Sequence, residues 1–581
     1  MRGKRTMNDR HTGDNGDNAR NGSVKRRVFL SGAGAAALSA ILAACGGTDA
    51  PTATTATGSG ASTTGATKAA PTTGAAPTTA NVGTAAPAAP QAAPTAAAMA
   101  PTTAAARVPT GTLKVALPSK LLSLDPGGPN SLEAPTLIAC RAYCDTLVVK
   151  DPMTGEYRPS LATKWDNPDA NTWLFTLRPG VMFHDGSMLT AADVKATLDR
   201  IVKLKGPIAP LWATLDGVET PDPMSVRLHF SAPLGTVLAN AALLNILPAS
   251  KVDTDGFFQK PIGTGPFRVV AYKADAELTL EANPTYWGGA PGVQSLRFID
   301  IPETVARLTA LDTGEIDYTF TIPPDQIAKV KANTNLVVAP TSSYTYYFVW
   351  MNAKRPPFTD VRVRQAMNYA IDADTMVKDL LGGIGKRAQA PIPSTVFGFA
   401  PQTPYAYDPA KAKQLLMDAG IAPGTEVTMI WTPSGGPQVR EISQALISYW
   451  TAVGIKVKSG EAERAIWLDK LIKLDWDMDL QTNGVLTGDA DFALRRLYTT
   501  AANRNGYGNP DLDKLLTDAA ASVDQKKRAD TYAQANKFIW DQAVGIYPFE
   551  LLENYAYKKT LSGVVTVPNG IPSFAGITVG K

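Results

Sequence analysis

Histidine is scarce in this chain, with three in 581 residues: His11, His184 and His229. Cysteine is equally rare, at Cys45, Cys140 and Cys144. No His–Cys set stands ready to hold a soft metal directly. There is no GxSxG, no HExxH and no phosphate-cradling GxxxxGK[ST] loop. His184 sits in the turn FHDG and His229 alternates along a strand, so both read as structural. The familiar enzyme motifs are therefore missing, so no catalysis, cofactor or metal is expected. A formal net charge of +4 over 581 residues, much of it before Cys45, gives no footprint for nucleic acid. Beyond Cys45 no apolar run is long enough to cross a membrane, which takes roughly 20 residues.

The one early apolar run, Val28 to Ala44, has 17 residues, many of them Ala or Gly. It is too short and too weakly apolar to span, and Lys25, Arg26 and Arg27 precede it, as in a bacterial export signal. Arg26-Arg27 before Val28-Phe29-Leu30 resembles the twin-arginine form, which carries folded cargo. Leu42-Ala43-Ala44-Cys45 resembles a lipobox, whose cysteine is lipidated and becomes the new N-terminus. The alternative is an ordinary cleaved signal with an incidental cysteine. From Gly46 to Ala106 the chain is Ala, Thr, Pro and Gly, with no aromatic residue, Leu or Ile and with only Asp49 and Lys68 charged. Such a segment cannot bury enough apolar surface to offset ordering entropy. It reads as a tether of about 40–50 Å mean reach, attached to the outer face of the cell membrane.

From Arg107 the composition turns globular, and 475 residues imply two or three domains. TAADVKATLDRI places Val194, Thr197, Leu198 and Ile201 on one helix face, with Thr190 as N-cap and Asp193 in the capping-box position. DVRVRQAMNYAID repeats the pattern. DPAKAKQLLMDAG and NPDLDKLLTDAA open with a cap residue and a proline at the first helical position. TWLFTLRPG and SVRLHFS alternate as strands. EVTMIWT, the helix after it and GIKVKSG read as a strand–helix–strand unit. Cys140 and Cys144, four apart in a helix, read as two buried thiols, because a bridge within one turn is strained. The whole is an α/β fold, a class that binds ligands at strand ends or between domains.

Seven segments then fall in one order: NTWLFTLRPGVMFHDGSMLTAADV (171–194), GTGPF (263–267), NPTYW (283–287), LDTGEID (311–317), PPFTDVRVRQAMNYAID (356–372), YDPAKAKQLLMDAG (407–420) and GNPDLDKLL (508–516). Together they resemble the family 5 extracellular solute-binding proteins, the dipeptide, oligopeptide and nickel binders of ABC importers. In GTGPF, Pro266 follows the glycines where a phosphate-binding helix would open, so the segment reads as a tight hinge or turn. The resemblance implies a two-lobed type II periplasmic-binding-protein fold with an additional family-specific domain and a hinge-closing cleft. It implies an export signal over 1–45, a tether over 46–107 and a first lobe from 108–163, 263–352 and 554–581. The additional domain would be 164–262 and the second lobe 353–553. The implied function is a monomeric, lipid-anchored receptor that delivers peptides to permease subunits driven by cytoplasmic ATPases. Another solute, such as a nickel chelate, an opine or an oligosaccharide, is the alternative; an enzyme or an adhesin is a more distant one.

The resemblance also nominates site residues. In DMDLQTNGVLTGDADF, Leu486 takes the place of a tryptophan and Thr487-Gly488 that of a small pair. Asp489 matches the aspartate that grips a peptide's α-amine. The alternative for Asp489 is a turn aspartate with no ligand. Arg387, after LGGIGK, is a candidate for a solute carboxylate or else a surface arginine. Glu133 and Thr136 lie in a stretch that pairs with bound peptide. In YTYYFVWMN one strand face holds Tyr344, Tyr346, Phe348 and Trp350, a core pattern, while the resemblance puts that strand at the crossing between lobes and makes Trp350 a cleft candidate.

Overall fold

A computed structural model describes residues 107–383 and 385–580. The export signal, Cys45 and nearly all of the tether lie outside the described residues. Among those described, no helix is long and apolar enough to cross a membrane.

One mixed sheet of twelve strands runs through both lobes. In the first lobe, Thr112–Leu117 lies parallel to Ser295–Asp300, followed by antiparallel Glu277–Ala282 and Phe267–Lys273. Leu113, Val115 and Leu117 are wholly buried among Leu278, Leu280, Phe298 and Tyr555. In the second lobe, Thr425–Trp431 lies parallel to Ile455–Glu461 and to Met478–Gly484, the strand–helix–strand unit legible in the sequence. Two long antiparallel strands, Leu336–Met351 and Phe549–Lys558, join the halves. Their register shifts between Ser342 and Tyr346. A separate four-stranded sheet, ordered Ala162–Asp169, Thr172–Leu177, Ser225–Phe230 and Leu215–Asp222, carries the helix Ala191–Leu204 on one face. Trp173, Phe175, Leu177, Val226, Leu228 and Phe230 all point into its core, as their alternation requires. Thr190 N–H donates to Asp193 Oδ2 at 2.8 Å, closing the expected capping box.

The segments GTGPF and NPTYW meet at one buried carboxylate, Asp145. It accepts from Tyr286 Oη at 2.8 Å, Trp287 Nε1 at 2.8 Å and Thr264 Oγ1 at 3.0 Å. Burial pushes its pKa up, and these donors and Arg141 oppose that. The turn presses against the end of the helix Ala134–Tyr143. A Cβ on Gly263 would stand 2.1 Å from Tyr143 O, and one on Gly265 would stand 2.5 Å from Tyr143 C. Only glycine allows that approach. Cys140 and Cys144, on the same stretch, are free and buried, and burial pushes the Cys140 thiol up to about 12. His184 clamps the turn from the other side: its Nδ1 accepts from Gly263 N–H at 3.2 Å and its Nε2–H donates to Gly265 O at 3.0 Å. That pattern needs the neutral ring. Burial, its largest cause, lowers the pKa from 6.5 to about 4.

A depressed histidine means that the unfolded chain takes the proton first. The stabilisation is complete above pH 6.5 and drains away as pH falls toward 4. Its size is up to about 3 kcal/mol. Unfolding free energies for wild type and His184→Gln should therefore converge between pH 7 and pH 4. A constant gap across that window would contradict the neutral clamp.

Candidate functional site

The strand Met478–Gly484 enters a short loop, Val485 to Asp489, that opens the helix Ala490–Tyr498. Asp489 is the N-cap: its Oδ1 accepts from Asp491 N–H at 3.0 Å. The same carboxylate is gripped by Arg528, Nη2 to Oδ1 at 2.9 Å and Nη1 to Oδ2 at 3.0 Å. The two side chains are 3% and 1% exposed. Arg528 comes from the helix Gln525–Asp541, and its guanidinium lies 5.0 Å from the Phe397 ring centroid and 5.5 Å from that of Tyr532. Bidentate pairing of this kind fixes both partners in direction as well as distance. Asp489 thus ties two helices together beneath the loop.

The loop is also held from the first lobe. Lys150, at the end of the strand Val148–Lys150, donates its Nζ to Gly488 O at 2.6 Å. Phe397 N–H donates to the same carbonyl at 3.0 Å. The ammonium lies 5.5 Å from the centroid of Tyr344 and 5.8 Å from that of Tyr157. Gly488 has φ +63°, and a Cβ there would come within 2.6 Å of both Lys150 Nζ and the Tyr344 ring end. Glycine is required for conformation and for space. Desolvation lowers the pKa of Lys150 to about 8, with Asp489 raising it and Arg528 lowering it further.

Beside this contact lies a cavity of about 360 Å³. Its walls come from Leu137, Arg141 and Lys150, from Ala242 and Leu243, from Leu486 and Thr487, and from the tail around Val567 and Asn569. An adjoining hollow of about 290 Å³ shares Tyr344, Leu486, Pro568 and Asn569 with it and adds Phe492 and Glu553. An apolar concavity with a few polar groups between lobes is the usual form of a small-solute site.

Leu486 and Thr487 therefore line the cavity, and Gly488 and Asp489 lie directly behind it. The other nominated residues are placed elsewhere. Trp350 is 1% exposed and packs between Phe348, Trp476 and Tyr498, a core position as its strand alternation indicates. Arg387 is paired with Asp374, donates to Tyr405 O and faces a separate small hollow. Glu133 is the N-cap residue of the helix Ala134–Tyr143. Thr136, 1% exposed, donates to Ser123 O at 3.1 Å. These two border a hollow with Lys120 and Pro302, apart from the interlobe cavity. For Trp350 and Arg387 the physical reason is the same: each is held by neighbours away from the cavity, Trp350 by aromatic packing and Arg387 by Asp374 and Tyr405 O. Lys150, Arg141 and Arg528 had no nomination from the sequence. Arg528 alone left a readable trace, since Tyr532, Ala535 and Ile539 continue its helix face into the core.

A two-lobed mixed α/β fold with a cavity between the lobes defines a periplasmic-type solute-binding protein. The family described as bacterial extracellular solute-binding proteins, family 5 Middle, matches residues 156–505. The chain belongs to that family, and its place is extracytoplasmic. It is 30% identical over 435 residues to the glutathione-binding protein GsiB of Pectobacterium atrosepticum, covering 71% of this chain and 84% of that protein. It is 26% identical to the dipeptide-binding protein of Escherichia coli K12, over 73% of this chain and 87% of that one. Among solved structures, the periplasmic binding protein DppA of Helicobacter pylori in complex with the peptide STSA aligns at TM-score 0.69 and 25% identity. It covers 81% of this chain and 98% of that chain.

The Asp489–Arg528 pair makes a separable prediction. Asp489→Ala leaves a buried guanidinium without its counter-charge and should cost about 3–5 kcal/mol of folding free energy. Asp489→Ala with Arg528→Met should recover much of that loss. Asp491→Ala, which breaks a half-exposed pair with Arg495, should cost less. Denaturant unfolding of the set checks it; a fully stable Asp489→Ala would show that the pair contributes little.

Proposed function

We propose that this chain is the lipid-anchored receptor of an ABC-type peptide importer, working as a monomer and without catalysis. The observation that carries the reading is the cavity shared by both lobes at the Leu486–Thr487 loop. Solute enters between the lobes, the lobes close, and the closed form is presented to the permease. The relatives support peptides as the solute class: one bears the name glutathione-binding, another dipeptide-binding, and a similar structure holds a tetrapeptide. A cavity of about 360 Å³, with about 290 Å³ more beside it, has room for a short peptide. Such a cleft holds a peptide through backbone hydrogen bonds and leaves side chains to wet pockets. Asp489 acts here by fixing the loop from behind.

The N-terminal segment completes the reading. Cys45, lipidated, becomes the first residue of the mature chain, and the Ala/Thr/Pro segment gives the receptor reach above the membrane.

Hinge closure predicts that a bound peptide shrinks the radius of gyration in small-angle scattering. At a hundredfold excess over Kd it should also raise unfolding free energy by about 2.7 kcal/mol. Tight binding with an unchanged scattering curve would rule out closure. For the anchor, wild type should partition with membranes and start at Cys45 by mass spectrometry, whereas Cys45→Ala should accumulate as precursor or be released. A soluble wild type that starts at another residue would refute lipidation.

A further inference from the structure

Lys150 reaches its place by crossing the cleft. Its ammonium sits against the Gly488 carbonyl and near the faces of Tyr157 and Tyr344, with Asp489 behind the loop. A carbonyl oxygen and aromatic faces around a point of negative potential form a cation cage. The cage is built for this occupant: the left-handed glycine at 488 leaves room where a Cβ would collide with Lys150 Nζ. The chain supplies its own ammonium.

Two consequences follow for a solute. An ammonium entering the cleft finds the cage filled, and Asp489 has both oxygens taken by Arg528. Glu553, in the adjoining hollow, accepts from Thr321 N–H at 2.7 Å and Thr321 Oγ1 at 2.9 Å. Burial raises its pKa. The cations on the cavity wall are less well matched. Arg158 pairs with Asp151 at 2.8 Å. Among the described residues Arg141 and Lys150 have no carboxylate in salt-bridge contact; Arg141 reaches only Thr146 Oγ1, at 3.4 Å.

We propose that Lys150 occupies the cation cage of the closed cleft and, with Arg141, makes a carboxylate or similar anion the group by which this cavity selects its solute, in place of an ammonium. The cage stands on geometry alone; the choice of peptides as probes rests on the function proposed above. Lys150 acts as a specificity-determining residue. Closing the cleft over two cations leaves them desolvated unless the solute brings an anion.

The test has two arms on the full chain. The first needs no ligand: with lysine labelled at Cε, two ε-methylene signals should lie upfield of the rest. One is that of Lys411, whose Nζ is 3.9 Å from the Tyr369 centroid, and the other that of Lys150, beside the rings of Tyr157 and Tyr344. The second should vanish in Lys150→Met. A spectrum from which Lys150→Met removes no upfield signal overturns the cage. The second arm measures retention of a tetrapeptide library in free, N-acetylated and C-amidated forms, with simple dicarboxylates and their diamides included. Wild type should lose about tenfold or more on C-amidation and less than about threefold on N-acetylation. Lys150→Met should lose the preference for carboxylates and favour free amines over acetylated ones. A wild type that loses about tenfold on N-acetylation and nothing on amidation overturns the proposal. If dicarboxylates are retained over diamides but no peptide is, the peptide reading falls and the anion preference stands. Retention of nothing anionic overturns the preference.

Discussion

Two strands, Leu336–Met351 and Phe549–Lys558, carry the whole connection between the halves of the large sheet. Among the described residues, the strands of the first lobe and those of the second reach one another only through this pair. Where its register shifts, between Ser342 and Tyr346, the backbone is free for other partners. Tyr344 uses that freedom. Its N–H donates to Pro568 O at 3.0 Å and its carbonyl accepts from Val485 N–H at 3.0 Å. One irregular residue thereby fixes the C-terminal tail on one side and the site loop on the other. It also presents its ring to Lys150 and to the cavity. The strand that crosses between the lobes and the wall of the cavity thus share a residue.

Buried charge does the rest of the positioning. A carboxylate taken out of water is costly unless several donors meet it. Asp145 satisfies this with three side-chain donors and thereby locks GTGPF to NPTYW. Asp489 satisfies it with Arg528 and a helix N-terminus, and thereby locks the Leu486–Gly488 turn to the helix Gln525–Asp541. Each is a rigid post beside the cleft. The first stands at the end of the helix that carries Arg141, the second under the carbonyl that receives Lys150.

What was legible in the sequence was local. Thr190 with Asp193, Asp408 before Pro409 and Asn509 before Pro510 mark helix starts by chemistry that acts within four residues, and each caps a helix in the structure. Strand alternation located the buried faces for the same reason. The family order of motifs supplied the two-lobed class. Contacts across the fold left no such mark. Lys150 and Gly488 are 338 positions apart, and a lysine at the end of a short strand looks like any solvated charge. Arg528 follows Lys526 and Lys527 and by composition reads as part of an exposed run; only its spacing to Tyr532, Ala535 and Ile539 marks it as the one residue of that run turned inward, and nothing marks Asp489 as its partner. Trp350 erred in the opposite direction: its alternation with Phe348 assigned it to the core, and only the resemblance to a family strand drew it toward the cleft.

A built-in ammonium also changes the energetics of an empty receptor. Lys150 donates to a Gly488 carbonyl that already accepts from Phe397 N–H, and the Asp489 behind it is already paired with Arg528. The ammonium therefore gains less there than its desolvation costs, as its lowered pKa reflects, and closure without a ligand is the more unfavourable for it. A solute shifts the open–closed equilibrium only by the difference in its affinity for the two states. An anion that meets the buried ammonium in the closed state alone supplies such a difference. The discriminating contacts must then come from the groups that closure leaves unanswered, the guanidinium of Arg141 and the outward side of the Lys150 ammonium, together with the apolar wall at Leu486.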